Sequence, residues 1–266
     1  MKILYAAAEI APFARMTHTA DLLRFLPASL QDKGFEIRIL LPKYGTINDR
    51  RNRLHEVIRL AGIEVKVGDN VESMKIKVAS IPNAKLQVYF LDNDTYFKRK
   101  AMFKDPKTEA FYPDHEERVA FYNKGVIETV IKLGWQPDII HCHDWPAGLI
   151  PMLVKTKYKN EEIFKKTKIV YNLHHAENLG VLESKRILEL LDLPDDADID
   201  AMTVDGKVDL LQIGLKYSDH IVTGNHLTDQ FDEIFKTLKI KPTKIQGSPE
   251  DVSTKFSEYY REIAGE

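Results

Sequence analysis

Short apolar runs alternate with stretches of helical periodicity along nearly the whole chain, the pattern of a parallel sheet covered by helices. Residues 2 to 8 read as a strand, and a polar loop carries the chain to Thr19. Leu23, Leu26 and Leu30 then mark one face of a helix that Gly34 closes, and Glu36 to Leu41 form the next strand. This is a βαβ unit. Its one irregularity, Pro27, predicts a kink or a place near the first turn of the helix. From Leu54 to Asp92 the pattern changes to alternation. Ile63-Glu64-Val65-Lys66-Val67 and Met74-Lys75-Ile76-Lys77-Val78 flank Gly68-Asp69-Asn70, which predicts a hairpin with one wet face ahead of a strand at Leu86 to Leu91.

A long helix is expected from about His115 to Leu133, with Val119, Tyr122, Val126 and Val130 on one side and Gly134 after its end. A strand beginning at Asp138 follows, and another at Lys168 to Leu173. Beyond them the pattern gives a helix around Lys185 to Leu191, an acidic loop from Pro194 to Asp200, a helix from Val208 to Tyr217, a strand at His220 to Thr223 and a helix to about Phe235. No strand is expected after that. Lys236 to Gly247 reads as an irregular linker. Ser248-Pro249-Glu250-Asp251 opens a final helix with an N-cap residue, a proline at its first position and early acids, and its stripe is Val252, Phe256, Tyr259, Tyr260 and Ile263. The expected architecture is α/β: a Rossmann-like three-layer sandwich with a mostly parallel sheet and a small β-hairpin insertion. Residues 1–235 form its body, and residues 236–266 a linker plus a C-terminal helix packing on it.

At 266 residues and 44% apolar content the chain can bury a substantial core, and one large domain is expected. Thirty-eight basic against 40 acidic residues leave a net charge of −2 without a dense basic patch, which argues against a nucleic-acid partner. Cys142 is the sole cysteine, so there is no internal disulfide framework, and a reducing compartment fits. Met1 to Ala8 is cut by Glu9 well short of a secretory signal and reads as a buried strand. No apolar run approaches the ~18 residues that span a bilayer. A soluble, cytoplasmic protein is expected.

The chemistry concentrates at two strand ends. Asp138-Ile139-Ile140 runs into His141-Cys142-His143-Asp144-Trp145 before a helix begins, and the 168–173 strand runs into His174 and His175. Polar groups at the carboxyl edge of strands are where open α/β sheets bind ligands. His141 and His143 share a face and Cys142 takes the opposite one, so the three cannot converge on a metal ion. Cys142 reads as core. Glu9 and Glu177 are the nearest spare carboxylates, but no paired-carboxylate arrangement for glycoside hydrolysis is visible.

Several segments, in order and spacing, resemble the N-terminal domain of bacterial glycogen synthases and plant starch synthases: Glu9-Ile10-Ala11-Pro12-Phe13-Ala14, Ala20-Asp21, Leu26-Pro27, Leu41-Pro42-Lys43-Tyr44-Gly45, Asp92-Asn93, His141-Cys142-His143-Asp144-Trp145 and Gly180-Val181. The resemblance runs from Met1 to roughly Phe235. It implies half of a GT-B glycosyltransferase, in which two Rossmann-like domains face each other across a cleft. Enzymes of that family move glucose from ADP-glucose to the non-reducing end of an α-1,4-glucan, with retention and without a metal or other cofactor. The N-terminal domain chiefly holds the glucan and the C-terminal domain the nucleotide sugar.

By this resemblance Asp21, Tyr96, Asp144 and His174 fall where the family lines its sugar cleft. His174, matching the histidine of the family's Ile-His-Asn segment, is the candidate catalytic residue. Other roles stay open for each. His141 and His143 line the sugar site or only hydrogen-bond at the strand end. Asp144 caps the 145–154 helix or accepts a sugar hydroxyl. Asp21 complements a helix dipole or binds sugar, and Tyr96 packs in the core or stacks on a pyranose. His175 reads as a surface residue, and Asp195, Asp196, Asp198 and Asp200 as a solvated loop.

Two departures from the family stand out. Where it carries a Lys-x-Gly-Gly-Leu loop against the donor diphosphate, this chain has Arg15-Met16-Thr17-His18-Thr19. No glycine remains there to let the main chain approach, although Arg15 offers charge and Thr17 or Thr19 a hydroxyl. The family's length is also nearly twice this one. Two readings follow: a synthase-like transferase that works with a separate C-terminal GT-B domain protein, or a stand-alone α-glucan-binding or regulatory module. Both take an α-1,4-glucan or maltooligosaccharide as partner, with ADP-glucose bound weakly if at all.

Overall fold

Near-continuous apolar runs can be buried on both faces only in the middle of a helix-covered sheet, and that is where the computed structural model puts them. It describes residues 1–82, 84, 86–174, 180–193, 199, 203–224 and 231–265. In chain order the elements are β1 (Lys2–Ala6), α1 (Thr19–Asp32), β2 (Glu36–Pro42), α2 (Asp49–Asn52), β3 (His55–Glu56), β4 (Ile63–Val67), β5 (Asn70–Ser80), β6 (Gln87–Asp92), α3 (Asp94–Phe97) and α4 (His115–Leu133). There follow β7 (Ile139–His143), α5 (Leu149–Lys155), β8 (Lys168–Leu173), β9 (Val181–Glu183), α6 (Ser184–Leu191), β10 (Thr203–Val204), β11 (Lys207–Asp209), α7 (Leu210–Tyr217), β12 (His220–Thr223), α8 (Asp232–Thr237), β13 (Thr243–Lys244) and α9 (Pro249–Ala264).

The ten-stranded sheet runs β13-β12-β8-β7-β1-β2-β6-β5-β3, with β4 also on β5. Pairing is parallel from β13 to β6 and antiparallel around β5, which confirms a mostly parallel α/β sandwich with a hairpin insertion. The chain first builds outward from β1 through β2 and β6, then returns to lay β7 on the other flank of β1. That reversal opens a crevice at the carboxyl ends of β1 and β7. One apolar cluster lies between the sheet and α4, α5 and α7; a second lies between the sheet and α1 and α9.

Local chemistry explains most element ends. Gly134 closes α4 at φ 59, and Ser248 with Asp251 forms a reciprocal capping box on α9. Pro27 sits inside α1, buried, where it removes one helical N–H. Val252, Phe256, Tyr259 and Tyr260 of α9 are buried on the side of α1, and Ser253 meets Ser29 at 2.7 Å between their hydroxyls.

Two expectations need correction. A strand does follow Thr223: β13 pairs in parallel with β12 inside the 236–247 stretch, too short to show a periodicity. Val208 is not helical but the buried residue of β11, in a small sheet ordered β10-β11-β9. Asp205 and Gly206, at φ 51 and 74, form the tight turn of its hairpin, an Asp-Gly signal overlooked between very short strands. α7 begins two residues later because Asp209 Oδ1 accepts from Leu211 N at 2.8 Å. The acidic loop residues Asp195, Asp196, Asp198 and Asp200 lie outside the described residues.

Gly214 of α7 lies against the ring of Tyr171, and a Cβ there would sit 2.4 Å from the ring carbon bearing the hydroxyl. That hydroxyl donates to the Asp144 carbonyl at 2.8 Å. Gly214→Ala is therefore expected to lower stability by about 1–3 kcal/mol through overpacking, measured by urea unfolding. Unchanged stability would mean that the helix can lift without cost.

Candidate functional site

The crevice between β1 and β7 holds a cavity of about 140 Å³, lined by Ala7, Ala8 and Glu9 after β1, by Met16, Thr17 and Thr19 of the following loop, and by His143, Asp144, Trp145 and Pro146 after β7. Phe103 and Leu211 complete the wall. Among the described residues, no lysine or arginine lines it. Trp145 is buried against Phe103, with ring centroids 4.8 Å apart, and Gly180 gives it room, since a Cβ there would fall 2.8 Å from the Cβ of Trp145.

The two strand ends do meet. His143 Nδ1 and His174 Nε2 are 2.9 Å apart with their rings stacked, and both side chains are about 2% exposed. Burial, and the neighbouring imidazoles of His141 and His174, hold His143 well below the usual histidine range, so it stays neutral. Only one hydrogen can lie between the two facing nitrogens: one ring donates and the other accepts. Nε2 of His143 makes no hydrogen bond among the described residues.

Asp144 locks this corner. It sits at φ 53, its Oδ1 accepts from His174 N at 2.7 Å, and its own N–H donates to the Asn172 carbonyl at 3.0 Å. The cap expected of Asp144 for the following helix is not made: its side chain turns to the neighbouring strand end, and a 3-10 turn at Trp145–Ala147 precedes α5. His141 is fully buried and faces away from the cavity, toward α9, where Nδ1 lies 2.5 Å from Tyr260 Oη. Burial pushes it down to about 3. Cys142 points into the opposite core, and burial pushes its thiol up.

Around the 15–19 loop the organising group is Glu9. Its carboxylate accepts from Met16 N at 2.6 Å, Thr17 N at 2.8 Å and the Thr17 hydroxyl at 2.5 Å. Arg15 is paired with Asp21, and both are substantially exposed at the mouth of the loop. Thr19 is buried, and its hydroxyl makes no hydrogen bond among the described residues. Tyr96 sits apart, 4% exposed, with its ring on Phe121 at 4.9 Å. His175 and Glu177 lie outside the described residues.

The structure thus gathers His143, Asp144, His174, Thr17 and Thr19 into one place and leaves Tyr96 and His141 outside the cavity. Sequence reasoning passed over Trp145 as a wall, Glu9 as the loop's anchor and Tyr260. The position of Trp145, directly after the strand-end run, was signal enough for the first. The others depend on contacts between distant segments. Among the described residues, no group of three or more His, Cys, Asp or Glu side chains could hold a metal ion, and no helix is long and apolar enough to cross a membrane.

Fold and site define one Rossmann-like lobe of a GT-B glycosyltransferase. A model of the starch synthase catalytic domain matches residues 2–229, and the chain belongs to that family. The glycogen synthase of Chlorobaculum tepidum is 45% identical over 223 residues, 84% of this chain and 45% of that protein. That of Chlorobium limicola is 42% identical over 226 residues, 85% and 46% respectively. The chain spans less than half the length of these relatives. The catalytic domain of Starch Synthase IV from Arabidopsis thaliana, bound to ADP and acarbose, has the same fold: TM-score 0.76 over 92% of this chain and 51% of that one, at 20% identity.

The buried neutral histidines make stability depend on pH. Their folded affinity for protons is lower than the unfolded value near 6.5, so their contribution is complete above about pH 6.5 and is lost as pH falls toward the depressed folded values. His141 should cost about 2 kcal/mol between pH 6.5 and 5, at ~1.4 kcal/mol per unit, and His143 adds in the same direction. Urea unfolding at the two pH values checks this, and equal stability would contradict it.

Proposed function

We propose that this chain serves α-1,4-glucan synthesis by holding the glucan at the β1–β7 crevice. The observation that carries this reading is a cavity with no lysine or arginine among its described lining residues, two of which, His143 and Thr19, each keep a buried polar atom, Nε2 and Oγ1, without a hydrogen bond among the described residues. Sugar hydroxyls both donate and accept, so they match such atoms. Trp145 and Phe103 supply the apolar surface that a pyranose face covers. Asp144 and His174 set the strand-end corner, and His174, whose main chain and ring are both held, is the group assigned to the reacting sugar.

The same geometry argues against seating a diphosphate here unaided. Glu9 already takes the amides of Met16 and Thr17, and Arg15 is engaged by Asp21. An anion would meet a carboxylate where it needs donors. Glucosyl transfer from ADP-glucose, the family reaction, then requires a second lobe that brings the cations for the diphosphate and closes the cleft against water. Without that lobe the chain acts as an α-glucan-binding module. The single buried thiol is in keeping with a cytoplasmic setting.

Titration calorimetry with maltotriose and longer maltooligosaccharides should detect binding by the full chain. His143→Ala should weaken it at least about tenfold, the equivalent of one good hydrogen bond. ADP release from ADP-glucose by the chain alone should stay at background. Absence of any maltooligosaccharide affinity ends the glucan reading, and ADP release by the chain alone overturns the need for a second lobe.

A further inference from the structure

α9 sends the hydroxyl of Tyr260 into the core directly beneath the pocket. It lies 2.9 Å from the hydroxyl of Tyr5 on β1 and 2.5 Å from Nδ1 of His141 on β7. Those two rings are the packing neighbours of His143. Tyr5 stacks on it with centroids 5.5 Å apart and planes at 13°, and His141 lies at 4.1 Å. One hydroxyl therefore holds both side chains that fix the ring meeting His174.

The protons along this chain can be assigned. His141 is neutral, so one of its nitrogens carries a hydrogen and the other accepts. Burial keeps the ring neutral, with the Asn172 side chain working weakly in the other direction. Neither His141 Nε2 nor Asn172 Oδ1 makes a hydrogen bond among the described residues, so the Tyr260 hydroxyl is the partner the structure gives this ring. A phenol hydroxyl is a better donor than acceptor and a neutral imidazole nitrogen a good acceptor, which favours Tyr260 donating to Nδ1, the ring hydrogen on Nε2, and Tyr5 donating to Tyr260. Without Tyr260, Nδ1 would be a buried acceptor with no donor, and the ring would be free to exchange tautomer or rotate.

We propose that Tyr260 is a positioning residue of the pocket: its hydroxyl fixes His141 as the Nε2–H tautomer and clamps Tyr5 and His141 about His143, so that the His143–His174 pair meets its ligand in one arrangement. The ligand part of this inference rests on the glucan reading above; the tautomer part does not. It makes α9 a working part of the site rather than a cover for the far face of the sheet.

The test compares Tyr260→Phe with Tyr259→Phe, a neighbour on the same helix that faces His220 instead. Imidazole nitrogen signals of histidine-labelled full-length protein report tautomer and ring environment, and calorimetry reports maltotriose affinity. Tyr260→Phe should shift both nitrogens of His141, shift the His143 signals and weaken maltotriose binding about fivefold to tenfold. Tyr259→Phe should leave all three unchanged. A Tyr260→Phe protein that is less stable, yet keeps the wild-type imidazole signals and affinity, reduces Tyr260 to a packing role and overturns the proposal.

Should Tyr260→Phe fail to fold, Tyr5→Phe removes one arm of the clamp and keeps the bond to His141. It must then move the His143 signals and leave the His141 tautomer in place, and unmoved His143 signals overturn the clamp. If the wild-type chain binds no maltooligosaccharide, the glucan reading falls, while the imidazole signals still decide the role of Tyr260.

Discussion

Placing imidazoles at the ends of parallel strands in the middle of a sheet is costly unless every ring nitrogen that loses water gains a partner. Much of the architecture around β7 answers that demand. His143 turns to His174, His141 turns to Tyr260, and the Asp144 carboxylate secures the main chain of the adjoining strand end. Because burial keeps His141 and His143 neutral, the end of β7 forms a polar floor that carries no positive charge.

The position of the floor follows from topology. β1 is flanked by β2 on one side and β7 on the other, and the loops leaving β1 and β7 separate on the carboxyl edge. The β1 loop is drawn in by Glu9, whose carboxylate gathers two amides and a hydroxyl. In place of glycines that would leave those amides open to a ligand, the chain carries larger residues, with the loop's hydrogen bonds closed internally. The substitution at residues 15–19 and the role of Glu9 are two sides of one arrangement.

Much of this was legible in the sequence because the signals are local. The period-two and period-3.6 patterns located β1, β2, the β4–β5 hairpin, α4 and α9 closely, and the abrupt change from Ile139-Ile140 to His141-Cys142-His143-Asp144 marked the site. What stayed hidden depends on partners far apart in the chain. Alternation along β7 puts His141 and His143 on one face, but it does not say that α9 would claim the first and β8 the second. Asp144 looked like a helix cap because cap chemistry is local, whereas its actual acceptor role depends on where β8 ends. Strands of two or three residues, such as β10, β11 and β13, are too brief for any periodicity and form only because a neighbour offers a ladder.

The margins of the large sheet bear on how the protein behaves at high concentration. One side finishes in the two-residue β13; the other is divided between two-residue β3 and β4, where Glu64 and Lys66 put opposite charges on the exposed face. A long bare strand would be a template for another molecule to extend the ladder, and these margins offer only brief or charged stretches for it. Wide as it is, the sheet therefore gives a second copy little on which to nucleate edge-to-edge aggregates.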